Sequence, residues 1–543
     1  MMKFSLRHLS GAVLGVCLCH SPVQAQLSHN LSIGNPVALA MGNSATASIR
    51  GPDAIHYNPA ALALVENKYE QFKLQTAFFS YEGTVSGSAP GRTFDPLSNA
   101  DYLDDPILQG EKSRDVSVDS PSVYLPFFGH TRLPFLVAPG YGFALRGGNQ
   151  DQFVFANSAF AVQIFGYERD MDSIGAFNGQ RFGITRLAYF NPSIGLELTE
   201  NLYLGGSIGF SWQGLGVTTR TRSVLNTVGE LSALANNLQS ELGVDLGLGL
   251  NPYNDVGVLE VEAEDPLSVA YTLGLLWQPY NWLSVGLAYQ SEGKSRMTGD
   301  FKLSYTDNFN DLMLGLQPAD NVLAVLDGGV ISGATEQSGD VEIDFTQPQW
   351  ASMGVSVLVT PDWRLNVDVK WVDYSVLKEL VFEFDQDLDY LVLGSVVNNL
   401  SDIYFGGAIG GDYADPDVMR LQRRYESVVD VSLGVEYRYN DNLLLRAGYE
   451  PRSSSIPENR QDLLIPIGDA DLYTVGFGYR MGQDSQVDVG FGYLVSEIHI
   501  DPGESRNANS ALEGDVIYNP YRGLQIDHKL EAYVFSLTYS THF

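Results

Sequence analysis

From Trp363 to Trp371 the chain alternates without a slip. Trp363, Leu365, Val367, Val369 and Trp371 take every second place, and Arg364, Asn366, Asp368 and Lys370 fill the gaps. A period of two sends these sets to opposite faces of a β-strand. One face is oily and ends in tryptophan on both sides, and the other is charged, as in a strand that crosses a membrane with water behind it. The pattern recurs at 202–213, 269–277, 283–289, 353–359, 429–439, 487–495 and 533–543. Past residue 25 there is no run of about 18 uncharged apolar residues, the length a membrane-crossing helix needs.

Candidate strands near 68–83, 117–128, 132–147, 181–198, 202–218, 265–278, 282–303, 339–359, 362–384, 427–438, 442–450, 470–480, 487–500 and 529–543 number fourteen, an even count. Their connections alternate short and long. The short ones carry turn chemistry: Gly129-His130-Thr131, Thr199-Glu200-Asn201, Pro279-Tyr280-Asn281, Thr360-Pro361-Asp362, Asn440-Asp441 and Gly482-Gln483-Asp484. The long ones cover 84–116, 149–180, 219–264, 304–338, 385–426, 451–469 and 501–528. The expectation is an all-β fold, a 14-stranded antiparallel transmembrane β-barrel spanning 68–543, with short periplasmic turns, long outer loops and both termini in the periplasm.

The composition agrees. Only 18% of residues are charged, Gly and Tyr are abundant at 55 and 29, and the net charge is −33. An acidic chain without clustered Lys or Arg does not bind nucleic acid, because nothing displaces the counterions. Lys3 and Arg7 precede an apolar run from Leu9 to Cys19, and Val23-Gln24-Ala25 follows, so residues 1–25 read as a cleaved signal peptide. Val16 and Leu18 stand before the two cysteines where a lipoprotein signal wants a small residue.

Residues 26–67 do not alternate, and they are long enough to fold back into a barrel as a hatch. The stretch "ALAMGNSATASIRGPDAIHYNPAAL" (38–62), with Asn58-Pro59-Ala60, resembles the N-terminal hatch of the FadL family of outer-membrane transporters for long-chain fatty acids and other hydrophobes. The likeness continues through "NPSIGLELTENLYLGGSIGF" (191–210), "GLLWQPYNWLSVGLAYQSEGKSRMTGDF" (274–301), "QPQWASMGVSVLVTPDWRLNVDVKWVDYS" (347–375) and "LLLRAGYEPRSSSIPENRQDLLIPIGDADLYTVGFGY" (443–479), and ends with Phe543. The outer loops depart from it: 385–426 is long, and 219–264 contains an apolar, helix-compatible stretch from Leu225 to Leu250.

The resemblance implies passive transport of a hydrophobic small molecule: capture by outer loops, a buried pocket, hatch rearrangement, and sideways exit at a kink in the third strand. That strand is expected from Arg132 onward, with the kink at Pro139-Gly140, where proline removes a ladder donor and glycine permits a bend; a bulge without functional meaning is the alternative. Asn58-Pro59-Ala60 either has a direct gating role or is a helix cap or simple turn that positions the first strand, and it is expected to hold the hatch either way. If the ligand carries a carboxylate, Arg186, Lys370 and Arg446 are the candidate partners, with pairing to lumen acids the alternative for each. Outer-membrane lipid and lipopolysaccharide are the expected surroundings, and the chain is expected to be a monomer.

Enzymatic motifs fail on context. Gly205-Gly206-Ser207-Ile208-Gly209 spells a nucleophile elbow but lies inside a strand pattern. Asp385, Asp387 and Asp389 begin like a calcium loop, yet Tyr390 and Val396 stand where glycine and glutamate belong. The histidines show no metal-ligand spacing, so no cofactor or metal is expected. Two rival classes remain: an outer-membrane lipid hydrolase, which needs a converging Ser and His, and a structural or receptor barrel acting through its loops.

Overall fold

A computed structural model describes residues 34–87, 114–147, 152–223, 253–316, 331–395, 415–510 and 518–543, together with 94–95, 100–101, 105–109, 228 and 251. The expected signal peptide and nearly all of the Leu225 to Leu250 stretch lie outside the described residues.

Fourteen wall strands follow one another around a closed antiparallel barrel. They are β1 (Lys68–Ser86), β2 (Leu136–Arg146), β3 (Phe153–Glu168), β4 (Arg181–Phe190 and Ser193–Thr199), β5 (Leu202–Arg222), β6 (Asp255–Tyr280) and β7 (Leu283–Gln290 and Gly293–Tyr305). Then come β8 (Glu336–Gln347 and Trp350–Thr360), β9 (Trp363–Val372 and Glu379–Phe384), β10 (Val418–Gln422 and Val428–Arg438), β11 (Leu443–Arg452), β12 (Ala470–Met481), β13 (Ser485–Ile500) and β14 (Gln525–His542). β14 pairs with β1 over the whole height of the wall, from Tyr69 opposite His542 to Ser86 opposite Gln525, so no sheet edge is left there.

The short connections are built as their residues dictate. The side chain of Asn440 accepts the backbone N–H groups of Asn442 and Leu443, both at 2.9 Å, and Gly482 takes a positive φ of 79°.

Two assignments from the sequence are corrected. The segments 117–128 and 132–147 are not two wall strands. Ser120–Leu125 and Gly129–Arg132 pair with each other as a hairpin, and only Leu136–Arg146 continues in the wall. Gly129-His130-Thr131 is therefore part of this hairpin and not a periplasmic turn. The missing strand is β3, inside the expected 149–180 loop, where Phe153, Phe155 and Ile164 are separated by small residues that blur the alternation. Pro139-Gly140 accordingly lies on the second wall strand, not the third. The strands also rise higher than expected: β5 reaches Arg222 and β6 starts at Asp255, shortening the 219–264 connection.

On β9 the tryptophan-capped face points outward, exposing Trp363, Leu365, Val367 and Val369, while Asn366 and Asp368 are buried inside. The two tryptophans stand eight positions apart, about 26 Å along the strand, or roughly 20 Å of height at a tilt of ~40°. Inside, the half nearer the long loops is filled by apolar side chains, among them Phe165, Phe182, Leu215, Phe301, Phe382 and Leu391.

Candidate functional site

Residues 34–64 lie within the barrel and run along its inner wall. Glycine makes that approach possible. A Cβ added at Gly205 would stand 2.2 Å from the Pro59 carbonyl carbon, at Gly448 2.0 Å from the Gly42 nitrogen, and at Gly286 2.4 Å from the Thr46 oxygen. Gly274, Gly434 and Gly490 are blocked in the same way by this segment. Backbone can touch backbone only where no side chain intervenes.

Polar groups complete the seating. Asn58 accepts the Ala60 N–H at 3.2 Å, capping the short helix Pro59–Leu64, and its amide nitrogen donates to the carbonyls of Thr46 at 2.9 Å and Leu275 of β6 at 3.0 Å. One side chain thus shapes the segment and ties it to the wall. Asp368 of β9 accepts the Thr46 N–H at 2.8 Å. Toward β1 the contact is ionic: Asp53 is bound by Lys73 and Gln71 of β1 and by Asn35. Burial alone would raise the Asp53 carboxyl, but Lys73, His56 and these hydrogen bonds together hold it below the ordinary carboxylate range.

Between this segment and the wall is a cavity of about 130 Å³, lined by Lys73, Phe160, Arg186, Ser207, Trp350 and Lys370 among others. Two of the three basic residues singled out in the sequence therefore meet there, from β4 and β9. The Lys370 ammonium lies 4.7 Å from the centre of the Trp350 ring. Arg446 does not join them. It donates to Glu436 at 2.8 Å and to Asp488 at 2.7 Å, so its charge is spent inside the wall.

Arg186 differs. It is 3% exposed, makes no ion pair among the described residues, and its Nε meets no acceptor. Directly across it stand Gln163 of β3 and Gln213 of β5, both buried; Gln163 Oε1 and both polar atoms of the Gln213 amide are likewise without a partner. A buried unsatisfied polar atom costs about 1–3 kcal/mol, so a guanidinium between two amides is a row prepared to meet a polar group from the lumen. Sequence reasoning singled out Arg186 but not the glutamines: a bulge at Ala161/Gln163 shifts the parity of β3 and hides Gln163, while Gln213 keeps the inward parity of Ser207 and Ser211, and only the cross-strand register brings it opposite Arg186.

Pro139 and Gly140 stand where the wall opens. β2 pairs with β1 from Leu145 to Leu136, but with β3 only from Arg146 to Tyr141. Above Tyr141 the β2 to β3 ladder stops, and Pro139, with no N–H to offer, lies two residues past the last pair. Gly140 faces inward over Lys73, whose Cε would be 3.1 Å from an added Cβ.

The structure also brings a serine and a histidine together, His56 Nε2 and Ser158 Oγ at 2.9 Å. Burial, with Lys73 nearby, lowers the His56 imidazole to about 3. So weak a base does not take a serine proton near neutrality. The nearby Asp53 is engaged by Lys73, Gln71 and Asn35.

The likeness to known proteins is broad. Structures of a Pseudomonas aeruginosa FadL homologue and of the toluene transporter TodX of Pseudomonas putida superpose with TM-scores of 0.64 and 0.57, at 15% and 16% identity, over 94% and 96% of this chain and 99% and 100% of theirs. A long-chain fatty acid transport protein of Escherichia coli is 24% identical over 323 residues, which is 58% of this chain and 62% of that protein. The model of the family described as outer membrane protein transport protein (OMPP1/FadL/TodX) matches residues 20–543. This chain belongs to that family of outer-membrane transport barrels.

Proposed function

We propose that the chain carries hydrophobic molecules with an anionic head, long-chain fatty acids foremost, passively through the outer membrane. The observation that carries this reading is Arg186, which lines the lumenal cavity without an ion pair among the described residues and with its Nε unpartnered, between Gln163 and Gln213, whose Oε1 and whole amide respectively are unpartnered as well. A carboxylate satisfies a guanidinium, whereas a neutral hydrocarbon leaves it unpaired. Lys370 and Lys73 line the same cavity, and the apolar upper lumen accommodates a tail. Transfer of a sixteen-carbon chain into water costs roughly 12 kcal/mol at about 0.8 per CH₂, so a dry, blocked barrel suits this cargo better than a wet pore.

In this reading residues 1–25 are the signal, 26–67 the hatch and 68–543 the barrel, with both termini periplasmic and the protein a monomer among lipid and lipopolysaccharide. Asn58-Pro59-Ala60 holds the hatch to β6, and cargo leaves sideways where the β2 to β3 ladder stops at Pro139-Gly140. The protein is a conduit, not an enzyme; the weak basicity of His56 supports this against a hydrolase.

The test is complementation of a deletion strain with wild type or Arg186→Ala, scored by uptake of a radiolabelled sixteen-carbon fatty acid and of toluene. Loss of one charge-assisted contact worth about 1.5–3 kcal/mol should weaken fatty-acid binding about ten- to a hundredfold and leave toluene unaffected. Equal effects on both, or none on either, would remove the carboxylate from the reading.

A further inference from the structure

The hairpin 120–132 lies outside the barrel. Its neighbours in the wall are Gly166, Gly183 and Gly216, which stand directly opposite one another on β3, β4 and β5. Each is flanked by residues that pack in the lumen, Phe165 and Tyr167, Phe182 and Ile184, and Leu215, so these glycines face outward. An added Cβ would stand 2.0 Å from the Ser122 oxygen at Gly166, 2.9 Å from the Tyr124 nitrogen at Gly183, and 2.2 Å from His130 Nε2 at Gly216. The hairpin therefore rests in a trough cut across three strands. Tyr124 stacks on outward Trp212 with 4° between the rings, and Arg132 pairs with Glu168 at 3.0 Å.

The root of this hairpin enters the break in the wall. Where β2 and β3 are unpaired, Val123, Leu133 and Leu136 pack together with Ala77 and Phe79 on the lumenal face of β1 and with Ile164 on the outer side of β3. Apolar side chains fill the unpaired stretch itself, and just above it the root is held by a short backbone ladder, Ser120 and Pro121 opposite Glu168 and Tyr167 of β3, with the Asp119 N–H donating to the Glu168 carbonyl at 2.9 Å. Phe160, which lines the cavity, lies on β3 at the edge of the break, and Lys73, which lines it too, lies on β1 opposite Gly140 of β2.

We propose that the hairpin is a shutter: its root seals the lateral opening between β2 and β3, and hydrophobic cargo passes when the root lifts while the glycine trough guides the hairpin back. Lifting the root breaks only the two-residue ladder of Ser120 and Pro121 with β3 and exchanges the apolar plug for an apolar ligand, one apolar contact replacing another, whereas a full β2 to β3 ladder would have many backbone hydrogen bonds to break. This rests on the transport reading above.

The chain has no cysteine after Cys19, so introduced thiols report cleanly. In His130→Cys/Gly216→Cys, removal of the imidazole vacates the space the second side chain needs, and oxidation or a short cleavable bis-maleimide ties the hairpin to β5. Uptake of a radiolabelled sixteen-carbon fatty acid should fall at least tenfold when the pair is locked, return on cleavage to the level of the unlinked double variant, and not fall in His130→Cys given the same treatment, while binding to detergent-solubilised protein persists. Locked and unlocked protein transporting equally would overturn the shutter and leave the transport reading standing. If wild type and unlocked protein transport nothing, the transport reading fails and takes the shutter with it. A second variant, with 124–130 replaced by Asn-Gly, keeps the wall but loses the trough contacts. Uptake several-fold faster than wild type is expected, and unchanged or slower uptake with normal membrane insertion would count against the shutter.

Discussion

Asp53 of the lumenal segment and Lys73 of β1 form an ion pair with side chains only 1% and 2% exposed. Lys73 lies under Gly140 and within 5.2 Å of the Phe160 ring centre, beside the break in the wall. Elsewhere the segment meets the wall as backbone against glycine and through neutral or singly charged hydrogen bonds such as those of Asn58 and Asp368, whereas toward β1 it is seated by a buried ion pair.

Removing one partner should matter more than removing both. Asp53→Ala strands a buried ammonium, and the segment should loosen by about 3–5 kcal/mol, whereas Asp53→Leu with Lys73→Met should recover most of that. Ion conductance in planar bilayers reads the effect: leak in the single variant, near-wild-type closure in the double.

Bulk at a wall glycine should expel the segment without unfolding the barrel. Gly448→Val places atoms where the Gly42 backbone lies, and valine suits a strand. Heat-modifiable gel mobility should stay that of a folded barrel, while an added protease should cleave within 36–49.

Acid should loosen the same segment. The folded imidazole of His56 is lowered to about 3 by burial and by Lys73. Released, it titrates near ~6.5, so between those values the released state binds the extra proton and seating weakens as pH falls, by up to about 1.4 kcal/mol per unit. Asp53, held below its ordinary range, acts in the same direction at lower pH. Hydrogen exchange of 50–57 should be faster at pH 5 than at pH 7.5, and His56→Gln should flatten the upper part of that dependence.

Extending the β2 to β3 ladder should close the exit. Pro139→Val with Gly140→Thr restores an N–H and β-propensity beside the last pair, Tyr141 opposite Ala159. Fatty-acid uptake should fall with assembly intact, and undiminished uptake would move the exit elsewhere.

Alternation alone was enough to read a closed barrel from this chain, because a face that meets lipid cannot tolerate charge and a face that meets water does not need apolar side chains. The strand count came out right for a partly wrong reason: the hairpin supplied a false strand where the small residues of β3 hid a true one. Arg186 was visible as a candidate cation, but not its neighbours: a bulge on β3 hides the parity of Gln163, and although Gln213 follows the alternation of β5, its place opposite Arg186 is set by register. Arg446 looked equally available until Glu436 and Asp488 were found against it.

What the order of residues decided, then, was the cylinder: which side chains face oil, which face water, and that the chain turns back often enough to close. What only the folded wall decided was where glycines from distant strands line up, inward to seat the lumenal segment and outward to receive a hairpin. Register between strands far apart in sequence sets those rows, and register is a property of pairs, not of any one segment.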